Sequence, residues 1–276
     1  MADVKPTLII FVGGLGGSPV AEMMARAHKA IVCDILERTG VAGVFSRSIV
    51  VTDRLGLVEW CGSEAIEELA TQPFHFGQNL RDIIHKYDVG APFYIGGGAL
   101  PLISASQLAS LAQELVSTSN LVITNNYFSS DMVAFTPGSA IDTITLPLTD
   151  NPLARLLAEA GLRQSLLPRD ASTQFDIDTP TDLAILQLHP GGGPHTRAYL
   201  DSIKIDTSRL RRAIQIFKDK KAQILVAGRA GSHLWAQLEQ RTACRVRFLS
   251  EERGLRADGR EEMGDGGSIL GFYLEE

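Results

Sequence analysis

Cysteine is scarce in this chain: Cys33, Cys61 and Cys244 are the only three. They are odd in number and far apart, which gives neither a disulfide framework nor metal-ligand spacing and fits a reducing compartment. No apolar run is long enough to span a bilayer, and the opening Met1-Ala2-Asp3-Val4-Lys5-Pro6 lacks a basic segment followed by an apolar stretch and cleavage site. The expected setting is therefore the cytoplasm, with no membrane partner. Lys and Arg are scattered and the formal net charge is -6, so no nucleic-acid footprint is expected. Internal repeats and low-complexity tracts are missing as well. What is present is a globular composition: 276 residues, 45% of them hydrophobic, enough to build one large domain or two without staples.

Buried strands alternate with amphipathic helices. Thr7 to Val12 is a continuous apolar, β-branched run, the pattern of a strand covered on both faces in a mostly parallel sheet. It ends in Gly13-Gly14-Leu15-Gly16-Gly17-Ser18-Pro19. Glycines let a backbone approach a ligand, and the N–H groups of the following helix aim at the same place, so Gly13, Gly14, Gly16, Gly17 and Ser18 are candidate nucleotide-phosphate contacts; a tight turn requiring positive φ is the alternative. A helix is expected from Pro19 to about Arg38, closed by Thr39-Gly40. Further strands are expected at Ile49 to Asp53, Phe93 to Ile95 and Leu121 to Thr124, and helices from about Leu57 to Leu69, from Gly77, and from Ser104 to Leu115. This alternation gives a doubly wound, mostly parallel α/β sheet. Ligands of such sheets sit beyond the carboxyl ends of the strands. Gly96, Gly97 and Gly98 fall there. So do Asn125, Asn126, Ser129 and Ser130, which either contact an acceptor or form a polar turn.

Pro190-Gly191-Gly192-Gly193-Pro194 reads as a linker. It separates residues 1–189 from a small α/β module over 197–276. That module has a basic amphipathic helix from Ser208 to Lys221, strands at Ile224 to Ala227 and Arg245 to Leu249, and a glycine turn, Gly228 to Ser232, that offers a second anion site or a plain turn. A charged loop, Ser250 to Asp265, and an apolar piece, Ser268 to Leu274, complete it. Acceptor binding, homodimer contact and regulation are the roles open to this module.

The densest stretch is Phe175-Asp176-Ile177-Asp178-Thr179-Pro180-Thr181-Asp182-Leu183. On an extended backbone Asp176 and Asp178 point to one face, where a strand end offers paired oxygens to a hard cation. Thr179, Pro180 and Asp182 form a capping-box-like helix start, and Asp176 could serve the same cap. Among the histidines, His75 is expected to be structural and partly buried, and His28 and His85 to face solvent. Asp53, at a strand end after a glycine turn, sits where a dinucleotide-binding domain keeps its ribose-binding acid, although the glycine spacing of that fingerprint is incomplete.

Three segments resemble the nucleotidyltransferases of GT-A-like fold, in particular the cofactor guanylyltransferases of the molybdenum-cofactor and coenzyme F420 pathways. Gly77-Gln78-Asn79-Leu80-Arg81 is similar to the family's helix start, Pro101-Leu102-Ile103-Ser104-Ala105-Ser106-Gln107-Leu108 to its proline-leucine motif, and the stretch from Phe175 to Leu183 to its terminal motif. The resemblance covers roughly residues 7 to 188. It implies transfer of a nucleoside monophosphate from a triphosphate, GTP being one donor, to a phosphorylated cofactor or sugar, with Mg2+ or Mn2+ held by Asp176 and Asp178. It also adds Asn79 to the nucleotide contacts. The family's first metal-binding aspartate, two residues before the proline, is Ala99 here, and Asp131 is the expected substitute, giving Asp131, Asp176 and Asp178 as the catalytic set. Two other readings stand beside this one: a nucleotide-binding regulatory protein without catalysis, which Ala99 favours, and a dinucleotide-dependent oxidoreductase built on Gly13 to Ser18 and Asp53.

Overall fold

The computed structural model describes residues 5–14, 16–228 and 231–250. The chain forms two compact units, Met1–Ile205 and Asp206–Glu276.

In the first unit β1 (Thr7–Val12) leads through the glycine loop to α1 (Pro19–Ala42) and then to β2 (Arg47–Thr52). Ser18 caps α1 by accepting from the Ala21 N–H at 3.1 Å, with Pro19 as the first helical residue. The helix runs through Gly40, its expected end, because Gly43 supplies the left-handed residue (φ 67°) and closes the last turn onto the Thr39 carbonyl. The single helix expected over 57–69 is instead α2 (Leu57–Trp60) followed by strand β3 (Ile66–Leu69). Gly62, at φ 63°, interrupts the helical path, and the Glu67 carboxylate accepts from the N–H groups of Gly56 and Leu57, both at 2.8 Å, fastening the strand to the helix start.

The order continues α3 (Phe76–Lys86), β4 (Pro92–Gly96), α4 (Ala105–Ser117), β5 (Leu121–Thr124), β6 (Met132–Thr136), a 3-10 turn (Gly138–Thr143), α5 (Leu153–Glu159), β7 (Arg163–Leu166), α6 (Ala171–Gln174), α7 (Pro180–Leu188) and α8 (Pro194–Ser202). The seven strands lie in the order β3-β2-β1-β4-β6-β5-β7, with β6 antiparallel to both neighbours and every other pairing parallel. Alternation along β1 shows how the sheet is buried: Leu8 and Ile10 enter one core with α1, α4 and α7, while Ile9 and Phe11 enter the other with α3 and α5. Strands β6 and β7 lie outside the sequence reading. β6 follows a polar turn without a helix, and β7 is an edge strand whose residues are largely exposed.

Two expectations are corrected here. Cys33 of α1 and Cys61 at the end of α2 form a disulfide, with Cα atoms 5.1 Å apart. The packing of α2 against α1 joins cysteines that are distant in sequence, so cysteine count no longer argues for a reducing compartment. The glycine-rich stretch from Pro190 to Pro194 lies inside the first unit, which continues to Ile205. Pro194 opens α8, and the buried carboxylate of Asp34 in α1 accepts from the His195 and Thr196 N–H groups, both at 2.9 Å. Gly193 is required by this approach, because a Cβ there would lie 2.2 Å from Asp34 Cγ. Asp34→Ala leaves the buried Thr196 amide and the partly buried His195 amide of α8 without an acceptor and is expected to cost about 2 to 3 kcal/mol, read as a lower urea midpoint.

The second unit contains α9 (Ser208–Lys218), β8 (Gln223–Gly228), α10 (Ser232–Arg241) and β9 (Arg245–Ser250), with β8 and β9 paired in parallel across the α10 crossover. Helix α9 stops at Lys218, short of the expected Lys221, with Asp219 in an extended conformation. Arg229 and Ala230 of the glycine turn, the loop from Glu251 and the apolar piece to Leu274 lie outside the described residues.

Candidate active site

A cavity of about 210 Å³ opens at the carboxyl ends of β1 and β4. Phe11, Val12 and Gly13 line one side, Gly96 to Ala99 the floor, and Asp131, Asp150, Asp176 and Asp178 converge on it with His28 and Tyr94. Each acid arrives by a separate route. Asp131 precedes β6, Asp150 precedes α5, and Asp176 and Asp178 lie on the extended segment between α6 and α7.

The floor and this extended segment are laced together. Ala99 bridges antiparallel to Asp176, the Ile177 N–H donates to the Gly98 carbonyl at 3.1 Å, and the Leu100 N–H donates to the Phe175 carbonyl at 3.1 Å. Leu100 adopts φ 54°, an unusual conformation for a buried leucine, and the backbone turn it makes lets both bonds form. Gly97 must lack a side chain, since a Cβ would come within 2.8 Å of the Val12 Cβ.

Helix capping is carried by other groups. Thr179 Oγ1 accepts from the Asp182 N–H, and Asp182 Oδ2 accepts from the N–H groups of Asp178 and Thr179. Asp178 presents its carboxylate to the cavity without a capping role. Asp131 is gripped by Asn125, whose amide donates to Asp131 Oδ2 at 3.1 Å while its carbonyl accepts from the N–H groups of Asp131 and Met132. Tyr94 Oη donates to Asp150 Oδ2 at 2.7 Å.

Burial and mutual repulsion set the electrostatics. Desolvation, reinforced by Asp150 and Asp178, pushes the Asp131 carboxyl up to about 6 against the Asn125 hydrogen bond. Asp176 is pushed up to about 7, by burial first and then by Asp131 and Asp178. Asp150 is raised by burial, and Tyr94 is held well above the ordinary phenol range by burial and by Asp150. Burial lowers His28, which keeps its imidazole neutral near pH 7. Among the described lining residues there is no Lys or Arg to balance the acids.

Several expected contacts take other roles. Gly13 lines the cavity, but Gly14, Gly16, Gly17 and Ser18 stand outside its lining, and Asp53 accepts from the Gly14 N–H at 3.0 Å, bracing the loop. Asn79 is buried and spent on the Thr71 amide and hydroxyl and the His75 carbonyl. Asn126, Ser129 and Ser130 make the polar turn: Asn126 Oδ1 accepts from the Phe128 N–H, Ser129 donates to Asn151 Oδ1, and Ser130 donates to the Asn126 and Asn151 carbonyls. His75 caps α3, and His85 meets Asp142 on the surface. His28, expected in solvent, is turned inward because α1 packs across the site. Asp150 is absent from the sequence reading; it follows the irregular stretch Ile144-Thr145-Leu146-Pro147-Leu148-Thr149, and only its position before a helix marks it. Among the described residues, the group whose ligand atoms all lie within 4.8 Å of one another is Asp34, Glu37 and His195, elsewhere in this unit, rather than the cavity acids. There both Asp34 oxygens are already taken by α8 amides, and His195 bonds Glu37 at 2.8 Å.

The seven-stranded, mostly parallel sheet with its single antiparallel strand carries a carboxylate-lined cavity at its strand ends, and this α/β fold is shared with solved nucleotidyltransferase structures. Neither a protein-family model nor the sequence of a curated protein matches the chain. Among solved structures, a cytidylyltransferase from Leptospira borgpetersenii superposes with a TM-score of 0.51 at 16% identity, covering 77% of this chain and 94% of that one. A 4-diphosphocytidyl-2C-methyl-D-erythritol synthase from Anaerococcus prevotii gives 0.48 at 10% identity, over 72% and 97%. The bifunctional IspDF from Campylobacter jejuni gives 0.46 at 11% identity over 65% of this chain, which spans about half of that protein, 53% of its length. These likenesses are of fold. The guanylyltransferases of the sequence resemblance are not among these three, two of which carry cytidylyl chemistry in their names.

Proposed function

We propose that the chain is a nucleotidyltransferase that moves a nucleoside monophosphate from a nucleoside triphosphate to a phosphorylated cofactor or sugar. The observation that carries this reading is the convergence of Asp131, Asp150, Asp176 and Asp178 on one cavity at the strand ends of the sheet, with no balancing Lys or Arg among the described lining residues. Carboxylate oxygens of this kind fit a hard divalent cation, Mg2+ or Mn2+, and Asp131, Asp176 and Asp178 would hold it. Bound there, the ion would neutralise the triphosphate and the charge that develops at its α-phosphorus.

In the reaction an acceptor phosphate oxygen forms a bond to the α-phosphorus, the bond from that phosphorus to the bridging oxygen breaks, and pyrophosphate leaves. The chain's part is positional. Asn125 holds Asp131, Tyr94 holds Asp150, and the lacing from Gly98 to Leu100 holds the backbone that carries Asp176 and Asp178, so all four acids are presented to one cavity before the nucleotide arrives. Asp131 takes the role that Ala99 cannot fill. The motif resemblance supports GTP as one donor to test, with CTP as the comparison.

A thermal-shift panel of the four nucleoside triphosphates, with and without Mg2+, tests this reading. A Tm rise with at least one of them that requires Mg2+ and is lost in Asp178→Ala is expected. No rise with any of the four overturns it. A metal-independent rise supports instead the regulatory nucleotide-binding reading, which Ala99 favours.

A further inference from the structure

His28 is the cavity group that reaches the site from within a helix, α1, whereas the acids lie on loops and an extended segment. Its Nε2 lies 2.6 Å from the carbonyl oxygen of Ile177, the residue between Asp176 and Asp178. A carbonyl only accepts, so Nε2 carries the proton and donates. The same Ile177 donates its N–H to the Gly98 carbonyl, so one peptide unit after another in this segment is held from both sides. Gly98 makes room for the arrangement: a Cβ there would lie 2.7 Å from His28 Nε2, 2.9 Å from the Ile177 oxygen and 3.2 Å from Asp176 Oδ1.

We propose that His28 is a positioning residue that sets the aim of Asp176 and Asp178 toward a divalent cation through its hydrogen bond to the Ile177 carbonyl. The inference rests on the cation site of the proposed function, but it concerns a residue that the sequence motifs leave out. With Nε2 engaged on Ile177, the imidazole acts on the carboxylates through the backbone that carries them. A group of this kind tunes ligand geometry in the way outer-shell partners tune metal sites, where removal costs about 10- to 100-fold in affinity.

The test is Mn2+ binding to the full chain, followed by the loss of the free-ion electron paramagnetic resonance signal. Wild type, His28→Leu, His28→Asn and His28→Gln are compared, with a thermal melt of each. Gln places an amide N–H near the position of Nε2, whereas Asn is too short and Leu has no donor. His28→Leu and His28→Asn are expected to bind Mn2+ at least about tenfold more weakly, and His28→Gln within about threefold of wild type. If His28→Leu does not fold, His28→Asn carries the comparison. Equal Mn2+ affinity in wild type and His28→Asn overturns the role of His28. A wild type that binds no Mn2+ overturns the cation site itself, a distinct failure. A loss in His28→Gln as large as in His28→Leu overturns the hydrogen bond as the cause.

Discussion

Without divalent cation the protein is expected to lose stability as the pH rises from about 5 to about 8, by on the order of 3 kcal/mol. The sign follows from Asp131 and Asp176, whose carboxyls are pushed up to about 6 and about 7 from an ordinary value of 3.8. Over this window the native state binds more protons than the unfolded chain. Stability is therefore fully present below the ordinary carboxyl range and falls as the pH passes through the raised values. The two acids repel one another, so their contributions overlap rather than add. Acids such as Glu68, lowered by hydrogen bonds from Lys86 and Tyr87, act in the opposite sense, and their effect is lost only at lower pH, which sets the floor of the window. Mg2+ or Mn2+ at about a hundredfold over its dissociation constant should return about 2.7 kcal/mol near pH 8 and much less near pH 5, where protons compete for the same oxygens. Urea midpoints at the two pH values, with and without the ion, check both halves. A midpoint that does not fall with pH in the absence of metal would contradict the electrostatics of the cavity.

Asp176→Asn and Asp178→Asn should each lower nucleotidyl transfer by about a thousandfold or more, because a metal ion supplies several kcal/mol of charge stabilisation in the transition state. Both substitutions keep the shape of the side chain and remove only the charge. Asp182→Asn is the internal comparison, since Asp182 accepts from the Asp178 and Thr179 amides at the start of α7 rather than entering the cavity. It should cost about 1 kcal/mol of stability as a weakened cap while leaving Mg2+-dependent nucleotide binding in place. Isothermal titration with Mg2+ and the active triphosphate separates the two effects. If all three variants behave alike, the segment from Asp176 to Asp182 works as a helix cap and nothing more.

Much of this arrangement is legible in the sequence because it rests on local patterns. The apolar runs of β1, β2, β4 and β5 can only be buried strands, and Thr179-Pro180 announces α7 through capping chemistry. The pairing of Asp176 with Asp178 also survives, because alternation on an extended backbone is a local property. What escapes the sequence is decided by tertiary approach. His28 is directed inward by the packing of α1 over the Ile177 carbonyl, a contact across 149 positions. Asp150 is drawn in by Tyr94 across 56 positions. Cys33 meets Cys61 through helix packing, and Gly193 serves a close contact with Asp34 of α1 where the composition around it suggests a linker. Asn79, Asn126, Ser129 and Ser130 show the reverse case: their side chains are of ligand-binding types, but each makes hydrogen bonds within the fold that its type alone does not announce.

The central claim is that the acids at the end of this sheet hold a divalent cation for a bound nucleotide. Crystals grown with Mn2+ and the triphosphate that gives the largest Tm rise, measured at the manganese absorption edge, test it most directly. The account predicts an anomalous peak among Asp131, Asp176 and Asp178. A peak at Asp34, Glu37 and His195, or no peak in this unit, would contradict it.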